Sequence, residues 1–135
     1  LTVVLKLLNL VKPNCLYLGQ KDFQQAELIK GLVDSFFLSI DIQVCPTVRE
    51  PNSQLPLSSR NQRLNAEEKN LAGKVFDFLH SHSSLAESEI ESHLESMGVD
   101  VDYLSVINGH CFIAVYINKI RLIDNFTRES QETVC

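Results

Sequence analysis

The apolar run Cys15–Leu18 empties into Gly19, and Gln20-Lys21-Asp22-Phe23-Gln24-Gln25 follow at once. A strand that ends in glycine and hands a cation, a carboxylate and amides to the first turn of a helix leaves few architectures open. Upstream, Val3, Val4, Leu7, Leu8, Leu10 and Val11 recur at helical spacing until Lys12-Pro13-Asn14, where proline cannot continue a helix. Downstream, Ala26, Leu28, Ile29, Leu32, Val33 and Phe36 give a second amphipathic helix over Phe23–Phe37. Ile40–Val44 then alternates apolar with polar and stops at Cys45-Pro46, a second strand. Helix–strand–helix–strand at such short spacing predicts a parallel sheet with helices on its faces. Ligands of such sheets bind beyond the carboxyl ends of the strands.

The pattern changes at Glu50–Pro56, which holds Pro51, Asn52, Ser53 and Pro56 without apolar period. It reads as a mobile loop and a domain boundary. Asn65-Ala66-Glu67-Glu68 has the form of a capping box. The helix it opens should run to Ser81 and bury Leu71, Val75, Phe78 and Leu79. Ser84–Met97 reads as another helix, with Ile90, Leu94 and Met97 on one face and Gly98 just past its end. Strands follow at Val101–Ile107, Phe112–Ile117 and Ile120–Ile123, joined at Asn108-Gly109 and Asn118-Lys119. The expected fold class is therefore α/β. Residues 1–49 form the last units of a Rossmann-like parallel sheet, and residues 50–135 a small α+β domain with an antiparallel sheet. A doubly wound sheet needs more than two strands, and the chain opens on Leu1 rather than Met, so it is expected to begin inside a larger protein.

The 135 residues carry a net charge of -5 with no basic cluster, which disfavours a nucleic-acid partner. No apolar stretch reaches the roughly 20 residues that span a bilayer, and no signal peptide is visible. A soluble protein is expected. Cys15, Cys45 and Cys111 lie in apolar runs and read as reduced core residues. His80, His82, His93 and His110 show no metal-ligand spacing and are expected at surface helix positions; no metal ligands are predicted. Neither a Walker loop, a Gly-x-Gly-x-x-Gly turn nor a nucleophile elbow occurs, so no covalent nucleophile is indicated.

Two polar clusters remain. Taken alone, Lys21-Asp22 is an ordinary exposed turn. With a helix start behind it, Lys21 could reach a phosphate, Asp22 could accept from ribose hydroxyls, and Gln25 could hold a hydroxylated or carboxylated substrate. Ser58-Ser59-Arg60-Asn61 could be a simple helix cap. It could also converge two hydroxyls, backbone N–H groups and a guanidinium on one anion. Together the clusters point to a nucleotide.

These residues resemble the pantoate–β-alanine ligase family of the nucleotidyltransferase superfamily. That family carries Gly-Glu-Lys-Asp-(Phe/Tyr)-Gln-Gln, and Gly19–Gln25 matches it with Gln20 in place of the glutamate. Cys45-Pro46-Thr47-Val48-Arg49, Leu57-Ser58-Ser59-Arg60-Asn61 and Arg121-Leu122-Ile123-Asp124-Asn125 follow in family order. The resemblance implies ATP-dependent condensation of pantoate with β-alanine through a pantoyl adenylate, giving pantothenate, AMP and pyrophosphate. It implies that Lys21 contacts ATP phosphates, Asp22 the ribose and Gln25 pantoate. Gly19 would allow close approach of the adenosine, and Val48 would line the adenine pocket through its backbone. Ser58, Ser59 and Arg60 would occupy the KMSKS-like phosphate loop, with Lys21, Ser59 and Arg60 as the catalytic groups. Mg2+ would accompany ATP, and the full-length protein would be a cytoplasmic homodimer.

The chain departs from the family in lacking the His-x-x-His-type ATP motif and the upstream pantoate glutamine. Its loop Glu50–Pro56 lacks the usual Asp-Gly and is slightly longer. The isolated chain is accordingly expected to be inactive. Two other readings stand beside the ligase. One is a different nucleotidyltransferase with another acceptor, which Gln25, Ser58–Arg60 and Arg121–Asn125 disfavour. The other is a non-catalytic module that binds partners or oligomerises through exposed apolar surface.

Overall fold

The computed structural model describes residues 1–128. Cys135 lies outside them. The chain divides into two compact units, Leu1–Thr47 and Val48–Cys135, whereas the sequence pattern predicts a division after Arg49.

In the first unit, α1 (Thr2–Val11) leads to β1 (Cys15–Gly19), a single 3-10 turn (Gln20–Asp22), α2 (Phe23–Ser35) and β2 (Asp41–Cys45). The strands pair in parallel, from Cys15↔Asp41 to Gly19↔Cys45. Lys12 adopts the left-handed conformation and its N–H closes α1 on the Leu8 carbonyl at 2.8 Å, with Pro13 next. Leu8, Ile29, Leu32 and Val33 are buried, with Leu16, Leu18 and Ile42 packed against them. At the end of α2, Phe37 sits at φ 51. Phe37 and Leu38 donate to the carbonyls of Asp34 and Val33 at 3.1 and 3.0 Å. This is the left-handed helix stop in which glycine is usual.

The expectation that both cysteines of this unit are core residues is corrected. Cys15 is half-buried and Cys45 is exposed. The reason is alternation: Cys15 and Cys45 share the strand face opposite Leu16, Leu18 and Ile42, which pack against the core.

The second unit runs through α3 (Ala66–Ser81) and α4 (Glu87–Ser96) to an antiparallel sheet ordered β3 (Asp100–Ile107), β4 (His110–Ile117), β5 (Ile120–Thr127). Asn65 caps α3 as predicted: its side chain accepts the Glu68 N–H at 2.8 Å, and Glu68 accepts the Asn65 N–H at 2.9 Å. Asn118 adds a 2.5 Å bond to the same carboxylate. These two donors hold the Glu68 carboxyl below its ordinary range, the backbone bond contributing most. Asn108 and Gly109 both have positive φ, 50° and 75°, the geometry of the tight primed turn between β3 and β4. Phe76, Leu79, Ile90, Leu94, Ile113, Val115 and Ile117 form one core with almost no exposure.

Two boundaries shift from expectation. Helix α4 starts at Glu87 rather than Ser84, because Glu89 reaches back to the Ala86 N–H at 3.0 Å. Strand β5 runs past Ile123 to Thr127, because the polar pair Asp124-Asn125 is buried and partnered rather than ending the strand. Among the described residues no helix is long and apolar enough to cross a membrane.

Candidate active site

The first cluster lies where β1 and β2 end together, at the pair Gly19↔Cys45. Gly19 is extended (φ -79, ψ 134), a conformation any residue adopts. A Cβ there would meet nothing within 4 Å. The chain itself therefore does not demand glycine, and the open space is available to a ligand. The 3-10 turn carries Lys21, half-buried, and Asp22, exposed, into the start of α2. Asp22 holds the N-cap position of α2 but makes no side-chain cap bond, so its carboxylate is not used to close the helix. Gln25 is exposed in the first turn of α2. Asp22 and Gln25, three residues apart, lie on neighbouring positions of one face. The N–H groups of that helix start favour anions.

The second cluster follows a closed hairpin. The Glu50 N–H donates to the Leu55 carbonyl and the Leu57 N–H to the Val48 carbonyl, both at 2.8 Å, around a bridge between Arg49 and Pro56. Leu55 is 1% exposed and Asp77 accepts the Gln54 N–H at 2.6 Å. The segment expected as a mobile loop is thus tied on both sides in this structure. A buried leucine and satisfied backbone groups take the place of the missing apolar period. Val48 keeps its side chain exposed while its carbonyl serves the hairpin.

Ser58 caps the short 3-10 helix Ser59–Arg63, its hydroxyl accepting the Arg60 N–H at 3.2 Å. Ser59 and Arg60 are exposed. The Arg60 guanidinium donates from Nη1 to the Arg121 carbonyl of β5 at 3.0 Å. Asn61 is buried; its Nδ2 donates to the Pro56 carbonyl at 3.0 Å, and its Oδ1 has no partner among the described residues. The cap and anion readings of this segment are therefore compatible. Ser58 does the capping, and Ser59 and Arg60 face solvent.

Sequence reasoning used Arg49 and Asp124 only as motif letters and missed their chemistry. Asp124, 2% exposed, takes Arg49 Nη1 and Nη2 at 2.7 and 3.1 Å. His80 Nε2 lies 3.0 Å from its Oδ2. Arg49 Nη1 also donates to the Gln54 carbonyl at 2.7 Å. A signal was present: Leu122, Asp124 and Phe126 share the buried parity of β5, and a buried carboxylate requires a partner.

The placement of the histidines is corrected accordingly. His80 is half-buried on α3 against Asp124, and His110 lies on strand β4 with Nε2 3.0 Å from Asn125 Oδ1. His82 and His93 are exposed and stack on Phe78, with ring centroids 4.6 and 3.9 Å away. Cys111 is buried, and burial pushes its thiol up to about 11, far from the thiolate a nucleophile needs. Among the described residues no three His, Cys, Asp or Glu side chains gather as a metal site.

Residues 1–127 match the pantoate–β-alanine ligase family. The chain belongs to that family. It is 48% identical over 130 residues to the pantothenate synthetase of Francisella tularensis subsp. novicida, covering 96% of this chain and 49% of that protein. The subsp. mediasiatica protein is 47% identical with the same coverage. Of the solved structures, the pantoate–β-alanine ligase of Francisella tularensis complexed with βγ ATP and β-alanine aligns at a TM-score of 0.88 and 47% identity, over 93% of this chain and 48% of that one. The pantothenate synthetase of Thermus thermophilus aligns at 0.78 and 28% identity, over 93% of this chain and 54% of that one. The chain thus spans about half the length of the pantoate–β-alanine ligase relatives it matches. The family's α/β class, a parallel sheet with helices and a separate antiparallel sheet, is the class of this fold.

Proposed function

We propose that the protein to which this chain belongs joins pantoate to β-alanine with cleavage of ATP, through a pantoyl adenylate. A pantoate carboxylate oxygen attacks the α-phosphorus, and the bond from that phosphorus to the pyrophosphate oxygen breaks. The β-alanine amine then attacks the acyl carbon, the acyl–oxygen bond to AMP breaks, and the amine loses a proton to solvent. Both steps build charge on phosphate oxygens, so catalysis is chiefly positioning and electrostatic stabilisation.

In this reading Lys21, Ser58, Ser59 and Arg60 contact ATP phosphates, with Lys21, Ser59 and Arg60 stabilising the charge that develops. Asp22 accepts from the ribose hydroxyls, Gly19 leaves room for the adenosine, and Val48 lines the adenine pocket. Gln25 binds pantoate. Magnesium usually keeps water and substrate phosphates as ligands rather than an all-protein cage, so an ion carried in on ATP needs no dedicated ligand set from this chain. Such an ion would neutralise phosphate charge. A cytoplasmic homodimer is part of the same proposal.

The observation that carries the reading is Lys21, Asp22 and Gln25 in one turn at the carboxyl end of a parallel strand pair, within a family match over residues 1–127. The test is AMP release by a chain extended to the length of its relatives, with ATP, magnesium, pantoate and β-alanine, each omitted in turn. Release that needs both pantoate and β-alanine supports the ligase. Release with another acceptor, or none from a folded protein, overturns it.

A further inference from the structure

We infer that Asp124 is a positioning residue for ATP, acting through Arg49; this rests on the assignment of Val48 and Ser58–Arg60 to ATP made above. Strand β5 holds the segment from Val48 to Arg60 at two points. Asp124 grips the guanidinium of Arg49, the residue after Val48, with both carboxylate oxygens at 2.7 and 3.1 Å. Three residues earlier on the same strand, the Arg121 carbonyl holds Arg60 at 3.0 Å. Arg49 donates a further bond, at 2.7 Å, to the Gln54 carbonyl across the hairpin. One planar fork thereby fixes both sides of the Val48–Leu57 neck, which no point-like ammonium can do.

Stability alone is a poor account of this arrangement. A buried ion pair is often no more stabilising than apolar residues of the same volume. What it adds here is direction. His80 Nε2 at 3.0 Å and the Asn125 N–H at 2.8 Å occupy the remaining sides of the Asp124 carboxylate. The carboxylate therefore has one orientation, and Arg49 inherits it. Arg60 is treated differently. Its partner is a neutral carbonyl, so its charge is not cancelled, and an anionic phosphate oxygen is the stronger acceptor.

The test uses Arg49→Lys and Arg49→Met, which leave Asp124 and His80 in place. In hydrogen exchange on the 135-residue chain, the Glu50 and Leu57 amides should open roughly ten- to a hundred-fold more readily in both variants, the size of a lost charge-assisted bond. Amides of β4 should change little. In a chain extended to the length of its relatives, the KM for ATP should rise while those for pantoate and β-alanine hold. Uniform loosening of the whole unit, full protection restored by lysine, or an unchanged KM for ATP would each overturn the inference. If the unsubstituted extended chain makes no AMP, the ligase reading fails instead. The exchange pattern then still decides whether Arg49 holds the segment.

Discussion

Replacing Asp124 with alanine should weaken the second unit more than any surface change. The side chain is fully buried and takes two bonds from Arg49, with His80 Nε2 at 3.0 Å. Removing one member of a buried pair costs about 3–5 kcal/mol, because a charge is left without its partner. Arg49 and His80 keep 20% and 21% of their side chains exposed, so water can reach both. That moves the expected loss to the lower end, about 3 kcal/mol. For a unit of this size each kcal/mol shifts the melting temperature by roughly 4–8 °C, so a fall of roughly 12–24 °C is expected. Urea denaturation of the 135-residue chain, followed by circular dichroism, measures the free energy, with the denaturant slope checking that the unfolded state is unchanged. A loss below about 1 kcal/mol, the range of an exposed ion pair, would refute the argument that Asp124 is a desolvated anchor.

Other expectations follow from the same structure. Arg60→Ala should lower AMP formation by roughly 10²–10³-fold, as loss of a preorganised donor does. The exposed site should cost no more than about 0.5 kcal/mol of stability, and stopped-time AMP assays beside thermal melts would separate the two. Phe37→Gly should stabilise the first unit by up to about 1 kcal/mol, because it relieves a left-handed backbone at a residue that is 93% exposed; a loss on urea titration would count against that. Glu68→Gln tests the capping box by pH. The folded carboxyl is held below its ordinary 4.5, so its contribution is complete above the unfolded value and is lost as pH falls through the folded one. The gap in stability between Glu68→Gln and the parent should therefore close on acidification. A gap that persists at the acid end would refute the link.

Local chemistry was readable in the sequence. The Asn65–Glu68 box, the Asn108-Gly109 turn and the Gly98 helix stop depend on neighbours within a few residues, and each is where the letters predicted. Alternation in a strand was harder. Cys45 sits in an apolar run yet faces outward, and Asp124-Asn125 look like a strand end yet are buried within one. The start of α4 falls three residues after Ser84, because Glu89 caps the Ala86 N–H from inside the helix, a contact that apolar spacing does not show. The candidate clusters at Gly19–Gln25 and Ser58–Arg60 were visible as polar motifs at element ends. Their support was not, since Arg49 meets a partner 75 residues away. Only the buried parity of Asp124 hinted at it.

The most direct test of the account is isotope exchange between labelled pyrophosphate and ATP in a chain extended to the length of its relatives. A reversible pantoyl adenylate predicts exchange that requires pantoate, proceeds without β-alanine and falls sharply in Arg60→Ala. Exchange that ignores pantoate, or an active enzyme with no exchange unless β-alanine is present, would contradict the adenylate and the roles assigned to these residues.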